Sequence, residues 1–88
     1  MKVEVHKSFE KDIEKVTDKK LAIQLNEIID ELETVSLLAE IKHLKKMKVK
    51  GNYFRIRVGN YRIGLKFEKE TITLLRFMHR KDIYSYFP

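Results

Sequence analysis

The residues best equipped for chemistry lie in the second half of the chain, and most are arginines. Arg55, Arg57 and Arg62 stand in two alternating runs, Tyr53-Phe54-Arg55-Ile56-Arg57-Val58 and Tyr61-Arg62-Ile63-Gly64-Leu65-Lys66-Phe67, separated by Gly59-Asn60. Period-two alternation puts every second side chain on one face of a strand. Gly-Asn between two such runs suits a two-residue hairpin loop. With that loop, Val58 opposes Tyr61, Arg57 opposes Arg62, Ile56 opposes Ile63, and Arg55 opposes Gly64. One face then carries Phe54, Ile56, Val58, Tyr61, Ile63 and Leu65, a core face. The other carries Arg55, Arg57 and Arg62. Like charges directly across a sheet are destabilising, so the pattern points to a ligand of opposite sign. A planar guanidinium matches phosphate oxygens two at a time. Gly64 removes a side chain beside the cluster and would let a ligand backbone come close. The competing reading pairs these arginines with acids elsewhere, such as Glu4 or Glu68.

More candidates follow the last expected strand. Imidazole exchanges protons near neutral pH, so His79 either moves a proton or packs the tail. Arg80 follows it directly. Tyr84 and Tyr86 either stack on bases, since every base has a π-face, or pack the tail onto the sheet. Lys45, Lys46 and Lys48 lie upstream in a basic run suited to a polyanion. The chain has no phosphate loop, no dinucleotide fingerprint and no Ser/His/Asp set. His6, His43 and His79 lack metal-ligand spacing, and carboxylates are scarce near the basic segment. A two-metal nuclease centre is therefore not expected, and neither is any cofactor.

Charge distribution supports a polyanionic partner. The net charge is +6, with a pI near 9.6. From Lys42 to Lys66 there are nine basic residues (Lys42, Lys45, Lys46, Lys48, Lys50, Arg55, Arg57, Arg62, Lys66) and no acid. From Lys7 to Ile41 five lysines face nine acids. Such a basic block attracts nucleic acid, anionic lipid or an acidic protein. Eighty-eight residues, 43% of them hydrophobic, make one domain with one core, residues 1–88. There is no apolar run of membrane-spanning length, no signal-peptide pattern and no cysteine. A cytoplasmic protein is the simplest expectation.

Other elements must position these groups. Lys2 to His6 alternates as a short strand. Ser8 is placed to cap a helix carrying Phe9, Ile13 and Val16 on one face. Thr17-Asp18 is a stop followed by a second cap. The next helix has an apolar stripe of Leu21, Leu25, Ile28, Ile29 and Leu32, making an αα-hairpin with the first. Leu37, Leu38, Ile41 and Leu44 pin a connector, and Lys45 to Gly51 forms a mobile basic loop. The arginine hairpin follows, then a strand from Ile72 to Met78 and an aromatic tail from Arg80 to Phe87. The expected class is α+β: a β-α-α-β-β-β domain, its mainly antiparallel sheet carrying the helical hairpin on one face.

Tyr53-Phe54-Arg55-Ile56-Arg57-Val58-Gly59-Asn60-Tyr61-Arg62-Ile63-Gly64, followed by His79-Arg80-Lys81-Asp82-Ile83-Tyr84-Ser85-Tyr86-Phe87-Pro88, resembles the RelE/ParE toxin superfamily, with the RelE-like branch the better fit. The likeness spans nearly the whole chain. It implies the toxin half of a type II toxin–antitoxin pair, with a small acidic RelB-like antitoxin as partner. It also implies entry into the ribosomal A site and cleavage of mRNA there by a 2′-hydroxyl. On this resemblance the catalytic set falls at Arg62, Arg80, His79 and Tyr86, with Tyr84 the alternative tyrosine. Arg55, Arg57, Lys45, Lys46, Lys48 and Tyr84 fall in the RNA- and ribosome-binding set. Two family positions that are often Lys are Arg here, and arginine is a poor base. That turns attention to His79, because some relatives use a His near this position together with a Glu. No clear Glu stands at the matching place in this chain. The alternatives are a ParE-like DNA gyrase inhibitor and a non-catalytic, toxin-derived binding module.

Overall fold

Alternating apolar residues in the C-terminal half build the sheet, and the two amphipathic helices before it cover one face. In the computed structural model, which describes all residues from Met1 to Pro88, the elements are β1 (Lys2–Val5), α1 (Lys7–Glu14), α2 (Lys19–Thr34), a 3-10 turn (Leu38–Glu40), β2 (Leu44–Lys46), β3 (Tyr53–Val58), β4 (Tyr61–Glu68), β5 (Thr71–His79) and α3 (Arg80–Tyr86). The strand order is β1-β5-β4-β3-β2. β1 runs parallel to β5, and the other pairs are antiparallel. The α+β class and the helical hairpin on one face are as the sequence implied.

Phe9 of α1 and Leu21, Leu25 and Leu32 of α2 pack onto Ile56, Val58, Ile63, Leu65, Ile72, Leu74 and Phe77. Asp18 caps α2, accepting from the N–H groups of Lys20 (2.9 Å) and Leu21 (3.3 Å). The cap of α1 differs from expectation. His6 takes that role, its Nδ1 accepting from the Ser8 N–H at 3.1 Å. The Ser8 hydroxyl instead donates to the Leu75 carbonyl at 2.6 Å and ties α1 to β5.

Three further features were not legible in the alternation. The expected basic loop begins as a strand: β2 pairs Leu44 with Ile56, Lys45 with Arg55 and Lys46 with Phe54. Three residues are too few to show a period. The aromatic tail is a helix, α3, whose Ile83 together with Phe87 is buried against Met47, Tyr53, Leu75 and Met78. This small second core lies on the sheet face opposite α1 and α2. The third feature is a β-bulge. Leu65 pairs with Leu74 and Gly64 with Arg76, leaving Leu75 without a partner. One extra residue reverses which side chains face the core. Before it, Ile72 and Leu74 face the helices. After it, Phe77 and His79 do, because they pair with Ile63 and Tyr61. Where β1 ends, Asp12 of α1 covers the exposed edge of β5. Its carboxylate accepts from Arg76 Nε (2.7 Å), Arg76 Nη2 (3.2 Å) and the Phe77 N–H (2.9 Å). The hydrogen bond to Asp12 raises the Arg76 pKa above the usual arginine value.

Gly64 has a different purpose from the one its sequence position suggested. A Cβ built there would lie 2.8 Å from Cγ and Cδ2 of Phe87. The space is taken by the protein's own tail rather than by a ligand. Gly64→Ala is therefore expected to destabilise the fold by about 1–3 kcal/mol, as overpacking does. Urea unfolding measures the loss, and hydrogen exchange should show it concentrated in α3.

Candidate phosphate-binding site

The hairpin register brings the arginines together as the alternation requires. Arg57 pairs directly with Arg62, and Arg55 with Gly64. Their shared face is only half covered, because α3 occupies the part nearer Met47 and Leu75. Beside it lies a cleft of about 170 Å³ lined solely by His43, Lys45, Arg55, Arg57 and Arg62.

No acid neutralises this cluster. The ion pairs are Lys2–Glu4, Lys66–Glu68 and Arg76–Asp12. Glu4 and Glu68 thus pair with lysines, not with the arginine face. The arginines are instead held by neutral acceptors. Arg62 Nη1 donates to the carbonyls of Gly59 (3.0 Å) and Tyr61 (2.8 Å). Arg57 Nη2 donates to His43 Nδ1 at 3.0 Å. The Arg55 guanidinium lies over the Tyr84 ring, 5.1 Å from its centroid. Neutral partners orient the forks and leave their charge for a ligand. Partial burial, and then repulsion from Arg55, Arg57 and Arg80, hold the Arg62 pKa below the usual arginine value, while Tyr84 acts in the opposite direction. Arg62 stays cationic at neutral pH, and a bound anion would relieve the repulsion around it.

Arg80 joins from the start of α3. Its N–H donates to the Asn60 carbonyl at 2.8 Å, which pins the helix to the hairpin turn. A groove of about 660 Å³ runs past Arg57, Arg62 and Arg80, with Gln24, Glu27 and Glu31 of α2 on its other wall. Tyr84, one helical turn after Arg80, shares its flank of α3 and is 61% exposed. Tyr86 is 64% exposed, but about 100° per residue puts it on the opposite flank from Tyr84. Lys45, Lys46 and Lys48 line a second groove, of about 520 Å³, together with Arg55 and Tyr84. Lys46 also donates to the Gly51 carbonyl at 2.8 Å.

His79 does not join the arginines. It pairs with Tyr61 on the helix-covered face, edge-on to that ring at 5.6 Å. Its Nδ1 accepts from the Lys81 N–H at 3.2 Å and caps α3. The histidine that lies in the cleft is His43, which the sequence did not single out. The signal was β2: once Leu44 is set opposite Ile56, the next step of the register puts His43 beside Arg57.

The unneutralised pair predicts a separation of stability from function. Arg57→Thr removes the cross-strand repulsion, so the melting temperature should hold or rise slightly while affinity for RNA falls. A loss of more than about 1 kcal/mol would instead mean that Arg57 supports the fold.

The model of the family "ParE toxin of type II toxin-antitoxin system, parDE" matches residues 3–84. The chain is 44% identical over 89 aligned residues to Toxin RelE3 of Methanocaldococcus jannaschii, covering 100% of both. It superposes on a chain of a RelB–RelE antitoxin–toxin complex from Methanococcus jannaschii with a TM-score of 0.79 and 41% identity, over 97% of this chain and 99% of that one. An archaeal RelE–RelB complex from Pyrococcus horikoshii gives a TM-score of 0.70 at 24% identity, over 90% and 93% of the two chains, and shares the fold. With a family match over nearly its whole length and a full-length relative, this chain belongs to the RelE/ParE superfamily of type II toxin–antitoxin toxins.

Proposed function

We propose that this toxin is a ribosome-dependent endoribonuclease that cleaves mRNA in the A site and so stops translation in the cytoplasm. The observation that carries the reading is the acid-free cluster of Arg55, Arg57, Arg62 and Lys45 around a cleft of phosphate-binding character, with Arg80 adjoining. In the reaction the 2′-oxygen of a nucleotide attacks the adjacent phosphorus. The P–O5′ bond breaks, leaving a 2′,3′-cyclic phosphate and a 5′-hydroxyl. Negative charge grows on the phosphoryl oxygens, and preorganised cations stabilise it without rearranging. Arg62 and Arg80 take that role. Arg55 and Arg57 grip the backbone and bend it toward in-line geometry. Lys45, Lys46 and Lys48 add sequence-independent attraction to RNA. Tyr84 offers a stacking surface beside Arg55.

The roles first considered for His79 and Tyr86 change in this proposal. His79 acts as a positioning residue, because its Nδ1 caps the helix that carries Arg80. Tyr86, exposed on the other flank of α3, lies outside the cleft and has no part in the cleavage step. The relative that shares 44% of its residues bears the RelE name, which supports the ribonuclease reading. The ParE name of the matching family favours a second one, inhibition of DNA gyrase.

The partner proposed is a cognate acidic antitoxin. The solved relatives pair toxin with antitoxin, and the stretch from Lys42 to Lys66 offers nine cations with no acid. A short acidic protein encoded beside this toxin should co-purify with it at moderate salt. Failure to associate would count against the pairing.

The cleavage face is tested by single-turnover cleavage of mRNA on programmed ribosomes with saturating toxin. Arg62→Ala and Arg80→Ala should each lower the rate by about 10²–10³-fold, the usual effect of removing one transition-state donor. Lys45→Ala, Lys46→Ala and Lys48→Ala should mainly weaken ribosome binding and flatten its salt dependence. Near-normal rates in both arginine variants would remove the ribonuclease assignment and bring the gyrase reading forward.

A further inference from the structure

We infer that His43 accepts the 2′-hydroxyl proton in this cleavage and that Arg57 keeps its reactive nitrogen covered until a phosphate arrives. The inference rests on the ribonuclease reading above. Three observations carry it.

The first is location. Of the histidines, His6 and His79 use Nδ1 to cap α1 and α3. Only His43 lines the cleft with Lys45, Arg55, Arg57 and Arg62, and it also lines the groove that holds Arg80.

The second is protonation. Arginine has only donors, so in the 3.0 Å contact between Arg57 Nη2 and His43 Nδ1 the nitrogen must accept. Its Nδ1 lone pair thus points at Arg57. Cations surround it: Lys42 and Lys45 on its own segment, Arg55 and Arg57 from β3, Arg62 from β4 and Arg80 from α3. The acids that face it are Glu27 and Glu31 from α2 and Glu40 from the 3-10 turn.

The third is the backbone. His43 has φ +63°, and the other non-glycine residues with positive φ, Lys69 and Glu70, form the turn between β4 and β5. Side chains rarely adopt this conformation, and such strain concentrates at functional sites. Here it delivers the ring to Arg57 at the entry of β2, where the His43 carbonyl also accepts from the Arg57 N–H at 3.3 Å.

When Arg57 turns its fork to a phosphate, the Nδ1 lone pair is left beside that phosphate, where the 2′-hydroxyl of the preceding nucleotide lies. Nδ1 takes the hydroxyl proton, the 2′-oxygen bonds to phosphorus, and the P–O5′ bond breaks. The electron pair leaves on the 5′-oxygen, which takes a proton from solvent. The imidazolium then returns its proton to solvent. Atoms and charge balance with no further reactant. The phosphate that selects Arg57 thereby also activates the base, so substrate binding and proton acceptance are coupled through one hydrogen bond.

The test is the pH dependence of single-turnover mRNA cleavage on programmed ribosomes, for the wild type, His43→Asn and His43→Gln. Asparagine tolerates positive φ, and thermal melts confirm that each variant is folded. Wild-type cleavage should rise about tenfold per pH unit and then level off, the profile of a rate that depends on one general base. The variants should lose about 10²–10⁴-fold, the usual worth of a general base, together with that rise. Ribosome binding should change less than threefold. Variants that keep the wild-type rate, or that slow while keeping the same pH profile, would overturn the role of His43. Absence of cleavage by the wild type would instead overturn the ribonuclease reading beneath it.

Discussion

Arg57 and Arg62 face each other on neighbouring strands with no acid between them. The hairpin is held from its other side. Ile56, Val58 and Ile63 are all buried beneath α1 and α2, and burial of such side chains is worth about 1.5–3 kcal/mol each. Against that, repulsion between two partly solvated guanidinium groups is modest. The core therefore fixes the strands that carry the charges, and an incoming phosphate meets an Arg62 fork already oriented by the Gly59 and Tyr61 carbonyls. Low reorganisation is what makes an electrostatic site effective.

The bulge at Leu75 divides the labour of the two sheet faces. By reversing the parity of β5 it sends Met78 to the face where Leu75, Ile83 and Phe87 pack. α3 can then fold across the bare side of the sheet, with Arg80 and Tyr84 on the flank nearest the arginines. The same reversal carries His79 away from the cleft and makes it a helix cap. One inserted residue thus keeps His79 out of the arginine cleft, which His43 lines instead.

The arginine hairpin was legible because two local signals agree there: strict alternation and a Gly-Asn turn, with Gly59 at φ +58°. The stripe from Leu21 to Leu32 and the Asp18 cap were legible for similar reasons. What escaped depends on distant contacts. The Gly64 side is filled by Phe87, which lies far along the chain and packs there only after α3 forms. β2 is too short to show a period, so His43 looked like one more polar residue in a basic loop. The two tyrosines of the tail separate only once α3 is known to be helical. No alternation rule reveals a bulge, so the position of His79 could not be read from Ile72 onward.

The central claim is that the arginine face cuts translated mRNA. Mapping RNA 5′ ends in cells shortly after induction of the toxin tests it most directly. The account predicts new ends bearing a 5′-hydroxyl, phased with the reading frame, and lost when the start codon of the reporter is removed. Chromosomal DNA should stay intact over the same interval. Uncut mRNA together with gyrase-linked DNA breaks would contradict the account.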